Sequence, residues 1–154
     1  MNNAISIFLI LIIATVVLIS GCAGTDSGGT KSIGMVTIDG QVDEVEASLV
    51  RAATGAAFVV QPTAIAPTYA ATKAILAADG LLTLSALPEQ LQTKVLENGF
   101  TAVEAQAVVD IVNVAVAKVR HDLTLPDISG NQVSDVLMEI VRIVNETAAV
   151  RLGL

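Results

Sequence analysis

Apolar residues recur every three or four positions along most of the chain after residue 40, which is the period of an amphipathic helix. The first such segment covers about residues 41–58. Proline removes a backbone donor and clashes with the preceding turn, so Pro62 and Pro67 are predicted to end this helix. The predicted inward face consists of Val42, Val45, Leu49, Ala52, Ala53 and Ala56.

Two shorter helices are predicted next. One covers about residues 68–79, and Gly80 follows it as a left-handed stop. The other has Pro88 in its first turn, where the missing N–H is not needed, and ends at Asn98-Gly99. The predicted inward residues are Tyr69, Thr72, Ile75 and Leu76 in the first helix and Leu91, Val95 and Leu96 in the second.

Two longer helices complete the pattern. Thr101 and Glu104 form a capping box that begins a helix extending to about His121. Its polar stripe is narrow, so we expect it to be the central helix. The last helix covers about residues 132–152, with Asn131 as its candidate cap. The polar stripe of the helix that begins after Thr101 consists of Gln106, Asp110, Asn113 and Arg120. The last helix is predicted to bury Val133, Val136, Leu137, Ile140, Val144 and Ala148. The predicted fold class is all-α, a small bundle of about five helices.

A separate apolar segment runs from Ala4 to Ile19. It has no polar face to meet water, unlike a surface helix of a soluble protein. At roughly 16 residues it is also shorter than the roughly 20 that usually span a bilayer. An uncleaved membrane anchor and a conventional secretory signal are the alternatives to a cleaved lipoprotein signal. The first three residues contain no Lys or Arg, which counts against every export interpretation.

This segment ends in Ile19-Ser20-Gly21-Cys22, which resembles the lipobox of bacterial lipoprotein precursors: branched apolar, small, small, cysteine. The resemblance implies that a signal peptidase recognises the first three of these residues and cuts before Cys22. It also implies a diacylglycerol on the Cys22 thiol and an acyl chain, such as palmitate, on the new amino terminus. Ala23 follows where an aspartate would favour inner-membrane retention, so the resemblance implies the outer membrane, facing the periplasm, in a host with two membranes.

The chain is accordingly divided into three parts. Residues 1–21 are predicted to be a lipoprotein signal peptide. Residues 22–34 are predicted to be the lipidated cysteine and a flexible tether, because they are rich in Gly, Ser and Thr. Residues 35–154 are predicted to form a single helical domain. This layout is also similar to that of small lipoproteins encoded by phages and prophages.

Charge and cysteine content restrict the classes of partner that the chain is expected to bind. The chain has 8 Lys and Arg and 15 Asp and Glu, all after Cys22, for a formal net charge of -7. An acidic domain repels nucleic acid and anionic headgroups. We therefore expect no nucleic-acid partner, and membrane attachment through the lipid on Cys22. Because Cys22 is the single cysteine, its lipidation leaves the mature domain without a disulfide or a cysteine metal site.

Candidate catalytic residues are few. His121 is the single histidine. Because it lies near the end of a predicted helix, beside Asp122, a structural role is favoured over a catalytic one. Ser85, Ser129 and Ser134 lie in no Gly-x-Ser-x-Gly motif. We expect no catalytic residue, metal or cofactor. The preferred hypothesis is a non-enzymatic binding or structural module of the cell envelope with a protein partner there; the alternative is an enzyme with an unrecognised carboxylate-based site.

Overall fold

The computed structural model describes residues 42–78, 80–119 and 129–154. These residues form five α-helices and no strand, which confirms the all-α prediction. The helices are α1 (Glu44–Val60), α2 (Ile65–Leu76), α3 (Leu87–Glu97), α4 (Ala102–Lys118) and α5 (Gly130–Leu152), and a short 3-10 turn at Pro62–Ala64 joins the first two.

Three helices begin with reciprocal capping boxes, in which the cap side chain accepts from the third helical amide and that residue's side chain accepts from the cap amide. Asp43 and Glu46 begin α1 in this way, and Thr101 and Glu104 begin α4 as predicted. Ser129 and Gln132 begin α5. The prediction of Asn131 as the cap was wrong, because the hydroxyl of Ser129, two residues earlier, already accepts from the Gln132 amide at 3.3 Å.

Helix α1 ends at Val60, just before Pro62, as predicted, whereas Pro67 and Gly80 act differently from the prediction. Pro67 does not end a helix: it lies in the first turn of α2, where its missing N–H has no helical acceptor to satisfy. Gly80 is not a left-handed stop, and α2 ends at Leu76 with ordinary helical geometry at Ala77. Gly99, by contrast, follows α3 with φ of 82°, the left-handed geometry expected after a helix end.

The core lies between α4, α5 and the inward faces of the other helices. Helix α4 contacts each of the other four helices, as predicted for the central one. Its polar stripe is exposed at Gln106, Asp110 and Asn113, while Arg120 lies outside the described residues. The fully buried side chains at the centre include Val50, Leu91, Val95, Val108, Val112, Leu137, Ile140 and Val144.

The inward face of α1 was predicted wrongly. The structure buries Ala47, Val50, Thr54 and Phe58 instead. Of the residues predicted to face inward, Val42 and Ala53 are half-buried, while Val45, Leu49, Ala52 and Ala56 are exposed. The helix carries apolar residues on two opposite sides, and the side with Phe58, its largest side chain, packs against the bundle. Leu96 of α3, also predicted to be inward, is exposed as well.

A helix that crosses a bilayer must be both long and apolar. Among the described helices, none is by itself long and apolar enough to span a membrane. Helix α1 and the segment Pro62–Leu76 meet the length and composition criteria only when taken together, and they are bent by 117° at their junction.

Candidate functional site

The outward side of α1 carries a continuous apolar stripe. Its members are Val45, Leu49, Ala52, Ala56, Val59 and Val60, and all of them are exposed. At 100° per residue, they fall within an arc of about 100° that lies opposite the buried face. We call this set the outer face of α1.

The exposure of this face is unusual because of its continuity. Val45 is 67 % exposed and Val59 is 70 % exposed, at opposite ends of the helix. Single exposed apolar side chains are common on soluble proteins, but contiguous apolar patches mark interaction surfaces. A helix that is apolar on both sides is normally buried on both. The outer face is therefore the strongest candidate binding surface among the described residues.

Opposite charges lie near the two ends of the outer face. The first turn of α1 carries Glu44 and Glu46, preceded by the capping carboxylate of Asp43. Toward the other end, the guanidinium of Arg151 from α5 lies beside Gly55, 3.6 Å from the place a Cβ would occupy there. The face is thus acidic at its beginning and basic along one edge of its second half.

A second surface is the groove between the 80–82 segment and α3. It encloses about 350 Å³, and its apolar floor is formed by Ile75, Leu82 and Met138. Lys94 at its rim already forms an ion pair with Glu97 at 2.7 Å. Across the described ranges, no three His, Cys, Asp or Glu side chains converge as metal ligands would. The side of the groove formed by α3 is polar, since Lys94 and three other polar residues of that helix line it.

The shifted carboxyl groups have structural causes. Hydrogen bonds from the backbone and then the side chain of Thr101 lower the pKa of Glu104 in the capping box. The hydrogen bond from Arg142 lowers the pKa of Glu139, against a smaller opposing effect of burial. A carboxyl that acts as a general acid near neutral pH needs a raised pKa. The pKa values of Glu104 and Glu139 are lowered instead, so these two carboxylates stay charged near neutral pH.

Arg142 lies between two carboxylates on the exposed side of α5. Its guanidinium hydrogen-bonds to Glu139 and to Glu146, which lie three residues before it and four residues after it on the same helix. These pairs raise the pKa of Arg142, with the hydrogen bond to Glu139 as the largest cause. Exposed pairs of this kind contribute only a few tenths of a kcal/mol each. They support the surface of α5 and form no reactive site.

Sequence reasoning missed a polar contact between α2 and α5. The side-chain amide of Asn145 donates to the carbonyl oxygen of Tyr69 and to the hydroxyl of Thr72, both at 3.0 Å. Thr72 in turn donates to the carbonyl of Thr68 at 2.6 Å. Asn145 belongs to an Asn-Glu-Thr sequence that has the form of a glycosylation acceptor. In the structure its amide joins two helices, a role that local sequence does not reveal.

The serine candidates also have structural partners. Ser134 is buried, and its hydroxyl accepts from the Leu82 amide at 2.8 Å. Ser129 caps α5, and the Ser85 hydroxyl lies 3.3 Å from that of Thr83. Cys22, the three residues before it and His121 lie outside the described residues. The structure therefore places none of them relative to the outer face of α1.

Comparison with protein-family models, with curated protein sequences and with solved structures finds no match to this chain.

Proposed function

We propose that this chain is a lipid-anchored protein of the bacterial cell envelope that acts without catalysis, by binding a protein through the outer face of α1. The single observation that carries the binding role is the continuity of that face: six exposed apolar residues cover one side of a helix whose other side is already buried. Water contact along such a stripe is unfavourable, and covering it by another protein removes that cost.

The anchoring role is supported by the sequence at Ile19-Ser20-Gly21-Cys22. Two or more acyl chains hold a protein stably at a bilayer, whereas one chain holds it only marginally. The acidic domain repels anionic headgroups, so the lipid and not the protein surface supplies the attachment. Cys22 precedes the first residue of α1 by 22 positions. The proposed anchor and the proposed binding surface therefore lie on separate parts of the chain.

The location of the protein in the cell tests the proposed lipid anchor at Cys22. In a host with two membranes, the full chain is expected in the outer-membrane fraction of a density gradient, because Ala23 follows the acylated cysteine. The matched control is Ala23→Asp, which is expected to move the protein to the inner-membrane fraction without altering the domain. The same inner-membrane position for both chains would contradict the sorting, and a soluble native chain would contradict the anchor itself.

A further inference from the structure

We propose that the outer face of α1 is covered by the same face of a second copy of this chain, with the two α1 helices antiparallel and a two-fold axis near Ala52. The inference rests on the binding role proposed above and names its partner. The packing of the two faces does not itself involve the lipid anchor.

The spacing of the residues on the outer face is typical of a helix that packs along another helix. Val45, Leu49, Ala52, Ala56 and Val59 follow one another at intervals of four, three, four and three residues. This alternation is the a and d pattern of a two-helix coiled-coil seam. A two-fold axis brings identical patches together, so one face of this kind is sufficient to form the whole interface.

The sizes of the side chains also match an antiparallel pair. The middle of the face carries Ala52 and Ala56, which allow close approach of the two helices, and the ends carry the larger valines. With Ala52 on the axis, Val45 of one copy lies opposite Val59 of the other. Leu49 then lies opposite the small residues Gly55 and Ala56 of the second copy. Large side chains meet small ones in the middle, and valines fill the two ends.

Charge favours the antiparallel over the parallel arrangement. Glu44 and Gly55 are 11 residues apart, close to three helical turns, so they lie on the same edge of the face. Arg151 lies beside Gly55 on that edge. An antiparallel pair therefore brings Glu44 of each copy toward Arg151 of the other. A parallel pair would instead bring the two acidic first turns together.

The expected interface is small. Helix α1 has 17 residues and so is about 25 Å long. A single helix pair of this length buries less than the roughly 1,200 Å² typical of stable specific interfaces. We expect a weak dimer that depends on local concentration, and anchoring of both copies in one membrane raises that concentration. Covalent cross-linking, which captures a weak dimer, is therefore the appropriate assay.

The first test is disulfide trapping in the full chain with Ala52→Cys. A disulfide forms only when the two Cα atoms approach within about 7 Å, which the axis near residue 52 provides. Membranes from lysed cells are oxidised with copper phenanthroline and analysed without reductant. The control is Gln92→Cys on the exposed side of α3, and the native chain, which contains only Cys22, gives the baseline. We expect a band of twice the chain mass from Ala52→Cys and only the baseline from Gln92→Cys.

The direction of the pair is tested with Val45→Cys and Val59→Cys. In the antiparallel arrangement, each variant alone stays at the baseline, and coexpression of the two, distinguished by tags, gives a mixed dimer. In a parallel arrangement each variant would cross-link with itself. Strong self-linking of either variant, without a mixed dimer, would overturn the proposed geometry.

A surface substitution shows whether the apolar contact is needed. Leu49→Lys in the Ala52→Cys chain is expected to remove the trapped dimer, and Leu96→Lys is expected to leave it unchanged. The two leucines are similarly exposed, at 45 % and 51 %, so neither change disturbs the core. Equal trapping at positions 52 and 92, or retention of the dimer in Leu49→Lys, would overturn self-association. A position-52 adduct of another mass would also overturn it, while leaving the proposed binding role in place.

Discussion

Replacing Cys22 by serine is expected to abolish lipid attachment completely and to leave residues 1–21 on the chain. The serine hydroxyl cannot form the thioether that the lipobox resemblance implies, so the modified cysteine before which the signal peptidase is expected to cut is absent. Metabolic labelling with a palmitate analogue should therefore mark the native chain and not the variant. The variant should also be longer than the mature protein by the 21 residues of the signal segment.

A displaced thiol is the matched control for this experiment. Adding Ser27→Cys to the Cys22→Ser chain restores a cysteine five residues later, outside the Ile19-Ser20-Gly21 context. We expect this double variant to remain unlabelled and uncut. Equal labelling of the native chain and of Cys22→Ser would contradict the lipoprotein proposal, and so would a mature amino terminus elsewhere.

Removing a buried side chain from α5 is expected to have the largest effect on stability. Ile140 is fully buried, and its replacement by alanine leaves a cavity among the helices it contacts. Such substitutions cost about 2 to 5 kcal/mol of unfolding free energy. The measurement is urea unfolding followed by circular dichroism, on a fragment from Gly34 onward.

The control for Ile140→Ala is Val150→Ala on the same helix. Val150 is 74 % exposed, and exposed substitutions usually change stability by no more than about 0.5 kcal/mol. Both variants replace a β-branched residue of the same helix by alanine, so the gain in helix propensity is similar and they differ mainly in burial. Similar midpoints for both variants would contradict the position of α5 in the core.

The helical class and the central position of α4 were predictable because their signals are local. Thr101 and Glu104 are three residues apart, and their reciprocal hydrogen bonds need no other part of the chain. The narrow polar stripe of α4 likewise follows from the helical period alone. These features depend on residues within one or two turns, which a sequence displays directly.

The inward face of α1 was not predictable because periodicity identifies an apolar face and not the neighbour that covers it. Helix α1 has two such faces, and the side that packs includes Thr54, whose hydroxyl has no hydrogen-bond partner among the described residues. Burying an unpaired hydroxyl is unfavourable, so sequence rules place threonine outside. The packing of Val50 and Phe58 outweighs that cost.

The remaining differences involve residues with several local options. Pro67 suits either the end of one helix or the first turn of the next, and Ser129 and Asn131 are both good caps. The contact of Asn145 with α2 joins positions more than 70 residues apart, so only the fold reveals it. Each error arises where tertiary contacts select between locally acceptable structures.

The outer face of α1 is the surface through which this protein is proposed to act. Its most direct test is a photo-reactive benzophenone amino acid at position 49, compared with the same group at position 96, in the membranes of irradiated cells. Both positions are exposed leucines on helices, so the probe itself is tolerated equally. We expect a discrete protein adduct from position 49 and none from position 96. No adduct from position 49, or equal adducts from both positions, would contradict it.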